Sequence, residues 1–216
     1  ARDQAPAYYE EGTPDGSRPG TVFVNTYDYA HRSLATAESI AYHEGLPGHH
    51  LQISIAQELT DLPAFRRYLH YTAFIEGWGL YAEHLGKDIG LYKDPYSDFG
   101  RLESDIFRGI RLVVDTGVHS QHWTRQQMVD YFHAHSGLDD ATINAEVDRY
   151  IAWPAQALSY KLGAMEILAL RDRAQHALGS KFDLRAFDDE VIDSGPLPLD
   201  VLDQRVSDWI QTQTSK

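Results

Sequence analysis

Two stretches with helical spacing, LATAESIAYHE at 34–44 and LQISIAQEL at 51–59, are separated by Gly-Leu-Pro-Gly-His-His. No other feature constrains the chain so tightly. An interior proline removes a backbone hydrogen bond at a cost of about 3 kcal/mol, and a neighbouring glycine adds roughly 1 kcal/mol. The run therefore predicts a bulge or kink at Pro47-Gly48, with His43 near a helix end and Ser33 placed to cap the start.

Read across the break, residues 43–50 are His-Glu-Gly-Leu-Pro-Gly-His-His. They open like the His-Glu-x-x-His of zinc hydrolases, but Pro47 stands where the second histidine would be. Two imidazoles can share one zinc only if their nitrogens come within about 3.5 Å, given zinc–nitrogen bonds of about 2.0–2.1 Å. In an unbroken helix His49 would point about 120° away from His43, and His50 would lie about 10 Å along the axis. A distortion at Pro47-Gly48 would return His49 to the face of His43. Glu44 would then share the cleft without binding the metal, where a general base for water is needed.

A third ligand is expected from FIEGWGLYAEH at 74–84. There Glu76 stands among apolar residues, flanked by Gly77 and Gly79, each of which weakens a helix by roughly 1 kcal/mol and lets a neighbour approach closely. A buried carboxylate needs a partner, and metal ligation supplies one. Glu83 reads either as an acceptor for a ligand histidine or as a solvated surface group. The chain has no cysteine and eleven histidines, so any metal must be held by His, Asp or Glu.

The remaining chain reads as helices. Helical spacing covers 62–86, an Asp94-Pro95 start opens 94–120, Thr124 can cap the next helix and Asp139 or Asp140 the one after. Pro154 is placed in the first turn of a helix ending near Gly179, and two more helices follow. Residues 1–20 read as an irregular arm, and TVFVNTY at 21–27 as the single strand. The expected fold is one mainly α domain over residues 1–216, with a short edge strand before the motif helix. A formal net charge of −13 argues against a nucleic-acid binder. No apolar run is long enough to span a membrane.

AYHEGLPGHHLQ followed by AFIEGWGLYAEHLG closely resembles the bacterial DUF885 proteins. The likeness continues through GRLESDIFRGIRLVVDTGVHSQHWTRQQ, EVDRYIAWPAQALSYKLG and FDDEVIDSGPLPLDVL. The family pattern His-Glu-x-x-Pro-Gly-His maps onto His43, Glu44, Pro47, Gly48 and His49, and favours His49 over His50 as ligand. The resemblance implies a gluzincin-like helical metallopeptidase fold and an upstream helical region in a longer protein, of which this chain is the C-terminal part. It also implies a periplasmic, secreted or lipoprotein location, which the residues themselves do not reveal.

The expected function is a hydrolase of peptide or small amide substrates. One Zn²⁺ is held by His43, His49 and Glu76, and Glu44 is the base. His119 and Tyr160 are candidate oxyanion donors; the alternatives are a helix-terminal histidine on the dipole and a packed tyrosine. Arg111, Arg149 and Tyr150, with Gln156 and Lys161, are candidates to bind a substrate carboxylate. The competing class is a helical binding or scaffold module with a structural or vestigial metal site.

Overall fold

Four helix starts are held by side-chain caps. In the computed structural model, which describes residues 7–27 and 33–215, the Asp94 carboxylate accepts from Tyr96 N–H at the head of a helix whose first residue is Pro95. Thr124 and Gln127 form a reciprocal capping box. Asp139, not Asp140, caps the next helix. Each device satisfies backbone N–H groups that the first helical turn leaves without partners.

The element order is β1 (Ala7–Glu10), β2 (Thr21–Val24), α1 (Ala37–Glu44), α2 (His49–Glu58), α3 (Ala64–Tyr68), α4 (Thr72–Asp88), α5 (Pro95–Ser120) and α6 (Arg125–His135). Then follow α7 (Asp140–Ala152), α8 (Gln156–Leu178), a short 3-10 turn, α9 (Leu184–Ile192) and α10 (Leu199–Thr214). The fold is mainly α. The arm differs from expectation: its first six residues lie outside the described ones, but Ala7–Glu10 is a strand that pairs antiparallel with β2, Ala7 opposite Val24. Its AYYE sequence is aromatic-rich and strand-prone, a signal overshadowed by the Pro-Gly-acidic residues around it.

Two further boundaries move. α1 has Thr36 rather than Ser33 in its N-cap position, and the Thr36 side chain makes no capping bond. Pro154 lies outside α8, because Ala155 adopts a left-handed conformation (φ +67°) that no helix interior tolerates. The buried Asp115 carboxylate on α5 holds that turn by accepting the Ala155 N–H.

One apolar core joins α4, α8, α9 and α10 around Phe74, Trp78, Tyr81, Ile167, Phe187 and Leu202. A second joins α5, α6, α7 and the start of α8 around Val114, Met128, Phe132, Ile143 and Val147. α4 and α8 belong to the first core and meet backbone to backbone. A Cβ at Gly77 would stand 2.5 Å from Gly163 Cα, and one at Gly163 would collide with the Ala73 carbonyl. That approach fixes Glu76, on α4, opposite the segment that carries Tyr160.

Candidate metal centre

The Pro-Gly step breaks the helix completely instead of bulging it. α1 closes with Gly45 N–H on the Ala41 carbonyl, and α2 begins afresh when Gln52 N–H reaches the Gly48 carbonyl. Pro47 has no N–H to continue the ladder. A Cβ at Gly48 would collide with the carbonyls of Tyr42 and His43, so only glycine allows the chain to turn this sharply against α1. Trp78 on α4 donates its indole N–H to the Pro47 carbonyl at 2.8 Å, tying the turn to the helix that carries Glu76.

The turn swings His49 back to His43. Their rings lie 4.6 Å apart, centroid to centroid, at 84°. Glu76 Oε2 is 3.5 Å from Nε2 of each. His43, His49 and Glu76 offer ligand atoms that all lie within 4.8 Å of one another, and both histidines are buried. Gly79, one turn beyond Glu76, makes the room. A Cβ there would stand 2.7 Å from His43 Cε1 and Nε2 and 3.0 Å from His49 Cε1. The two glycines thus serve different purposes: Gly77 admits α8, and Gly79 admits the imidazoles.

Behind the ligand atoms, Glu83 is buried and its Oε1 accepts from His43 Nδ1 at 2.9 Å. Its other oxygen accepts the Ser39 hydroxyl, which in turn accepts from Tyr92 at 3.2 Å. Glu83 is therefore an acceptor for a ligand histidine, not a surface group. A proton held on Nδ1 by this contact leaves Nε2, which faces Glu76, as the atom that could bind a cation. Sequence reasoning missed Ser39 and Tyr92; Ser39 stands four residues before His43, on the same helical face, which was the available signal.

The electrostatics describe a site short of positive charge. Burial disfavours the charged imidazole of His43, but Glu76 and Glu83 overcome it and raise its pKa to about 9. Burial would likewise push both carboxylates up, yet contact with the histidines holds each below the ordinary carboxylate range. Two imidazole nitrogens and one carboxylate oxygen are a donor set suited to a borderline divalent cation such as zinc. Among the described residues the group has three members, short of the four that close a tetrahedral structural site.

The other sequence-identified residues divide. Glu44, the last residue of α1, is half-buried and makes no hydrogen bond or ion pair among the described residues. Tyr160 stacks on His43, centroids 6.1 Å apart. Its oxygen accepts from Gln156, whose amide is oriented by Arg149 at 2.7 Å, so the tyrosine hydroxyl hydrogen has no described partner. His119 is not brought to this group: its Nε2 donates to the Tyr150 carbonyl at 2.9 Å, linking α5 to α7.

Tyr150 is fully buried and donates its hydroxyl to Glu146, which removes it from the surface where a substrate could meet it. Arg111 and Arg149 also pair with Glu146. Lys161 pairs with Asp105 instead. Arg108, which sequence reasoning passed over, lies 5.3 Å from the Tyr160 ring, one helical turn before Arg111.

Fold and site together define a mainly α-helical protein with an interior His-His-Glu group arranged as metal ligands. The chain belongs to the bacterial proteins of unknown function grouped as DUF885, whose family model matches residues 1–206. It is similar to the crystal structure of a candidate lipoprotein from Colwellia psychrerythraea, with 42% identity and a TM-score of 0.95 over 98% of this chain and 36% of that one. A candidate lipoprotein of unknown function from Shewanella oneidensis shares the fold, with 20% identity and a TM-score of 0.77 over 93% of this chain and 39% of that one. This chain spans little more than a third of either relative. No curated protein matches it. Among the described residues no helix is long and apolar enough to cross a membrane.

Proposed function

We propose that this chain is the catalytic portion of a zinc-dependent hydrolase acting on peptide or related amide bonds. The observation that carries the reading is the convergence of His43 Nε2, His49 Nε2 and Glu76 Oε2 beside a Glu83 that orients the first of them. A Zn²⁺ bound there would lower the pKa of water toward about 7 and polarise a carbonyl.

The chain's own groups supply the rest. Glu44 follows His43 directly and has no competing partner, so its carboxylate can take a proton from water as that water adds to the carbonyl carbon. It then delivers the proton to the leaving nitrogen as the C–N bond breaks. The Tyr160 hydroxyl, stacked beside His43 with its hydrogen uncommitted, can donate to the oxyanion. The competing reading is a scaffold with a structural or vestigial metal site, which predicts a closed shell of four protein ligands or no bound metal; three ligand groups meet among the described residues. The candidate-lipoprotein relatives support placing the whole protein at or beyond the bacterial cell membrane, and their greater length supports a longer whole protein.

Glu44→Gln tests the mechanism. It should keep zinc at wild-type stoichiometry by elemental analysis while hydrolysis falls at least about a hundredfold. Full activity in that variant would discard Glu44 as the base.

A further inference from the structure

Three guanidinium groups gather around Tyr160, the residue that also stacks on His43. The Arg111 guanidinium carbon lies 4.6 Å from the Tyr160 ring centroid and that of Arg108 5.3 Å, while Arg149 reaches the hydroxyl through Gln156. One carboxylate, Glu146, serves this group: it bonds Arg111 at 3.0 Å and Arg149 at 3.4 Å, and accepts Tyr150 as well. Arg108 makes no ion pair or hydrogen bond among the described residues and attracts Glu146 and Glu83 only at longer range. In a chain with a formal net charge of −13, this cation-rich patch is a local exception.

The arginines also carry donors that no described group accepts. Buried Nε atoms of Arg108 and Arg149, and Nε and Nη1 of Arg111, have no hydrogen-bond partner, and Arg111 is 4% exposed. Leaving N–H groups of a buried cation unpaired is costly, whereas a carboxylate is the acceptor that guanidinium geometry matches best. With the two Tyr160 distances in series, the Arg111 guanidinium is no more than about 11 Å from the His43 ring. An extended residue spans about 3.3–3.6 Å. One or two residues therefore fit between an amide at the metal ligands and a carboxylate at the arginines.

We infer that the half-buried Arg108, backed by the buried Arg111 that packs against the Phe107, Tyr150 and Tyr160 rings, forms a carboxylate subsite, and that the substrates are peptides whose free C-terminal carboxylate lies one or two residues beyond the bond cleaved. This rests on the hydrolase reading above and narrows it to cleavage near a C-terminus. Glu146, Tyr150 and Gln156 are positioning residues that hold the guanidiniums and Tyr160 in place.

The experiment uses the protein at its natural full length, loaded with zinc, and one tripeptide library made twice, with free and with amidated C-termini. Cleavage is followed by mass spectrometry for wild type, Arg111→Lys and the less buried Arg108→Gln, with zinc content measured in each. Free acids should be cleaved at least about a hundredfold faster than amides, and both variants should bring that ratio within about tenfold while keeping zinc. A purely structural role would slow both libraries together and leave the ratio unchanged, and that result overturns the subsite. Equal cleavage of acids and amides by wild type overturns it too, with the hydrolase reading intact. So does cleavage of amides confined to peptides ending in Asp or Glu, which would assign the arginines to a side chain. Zinc retained with neither library cleaved overturns the hydrolase reading itself and this inference with it.

Discussion

Two buried charged clusters flank Tyr160, and they are electrostatic opposites. Around His43 and His49 lie Glu76 and Glu83, with no arginine or lysine in hydrogen-bond contact, and the histidines balance the two carboxylates with help from Arg108, which attracts Glu83 from further away. Around Arg111 lie Arg108 and Arg149, with Glu146 in contact and Glu83 attracting Arg108 from further away. Burial makes an uncompensated charge expensive, so each imbalance identifies the sign of what completes it: a cation on one side, an anion on the other. Structural ion-pair networks are generally closer to neutral than either cluster is alone. The difference teaches that α4, α5 and α8 set groups of opposite charge on either side of Tyr160, the arrangement that a substrate held between a metal and an arginine would require.

The largest expected effect breaks one side only. Glu76→Ala removes a ligand oxygen and should lower zinc affinity by more than about a hundredfold in a chelator-competition titration, beyond the usual range for groups behind the ligands. Arg111→Lys should leave that affinity unchanged. If both variants weaken zinc equally, the two clusters are one structural network and the contrast fails. Glu83→Gln should cost about tenfold to a hundredfold in zinc affinity, because the ligand histidine loses the carboxylate that fixes its tautomer.

The smallest effect concerns a half-buried carboxylate outside both clusters. Burial pushes Asp188 up to about 6, although the Tyr81 hydroxyl at 2.7 Å and Arg171 pull the other way. A raised folded-state value means that the folded protein holds this proton more tightly than the unfolded chain. Stability from this group is therefore full below about pH 4 and is lost as pH rises through about 6. Asp188→Asn has no such loss. Relative to wild type, the variant should gain on the order of 1 kcal/mol in denaturant melts between pH 4 and pH 7, once partial exposure is allowed for. A constant difference across that range would show that Asp188 is not held protonated by burial.

Most of the helices were legible because their signals are local. Asp94-Pro95, Thr124 with Gln127, and Asp139 each carry their cap in the sequence. β1 and the start of α8 were not, since pairing with β2 and the Asp115 hold on Ala155 come from residues far away in the chain. At the site, the Pro47-Gly48 step announced a distortion but not its form, because a kink, a bulge and a full break all remove the same hydrogen bond. The meeting of His43, His49 and Glu76 was readable from spacing and a glycine-flanked carboxylate. The engagement of His119 with the Tyr150 carbonyl was not, because it depends on how α5 packs against α7, which no periodicity specifies. Tyr150 and Glu146 share α7 four residues apart, so sequence reasoning missed a pairing that helical spacing offers.

The central claim is that His43, His49 and Glu76 converge on one divalent cation. Crystals of the protein grown with zinc, measured on both sides of the zinc absorption edge, test it directly. The account predicts one anomalous peak about 2.0–2.2 Å from His43 Nε2, His49 Nε2 and a Glu76 oxygen, with no fourth protein ligand. Zinc bound elsewhere, or no peak between these three side chains with zinc in excess, would contradict it.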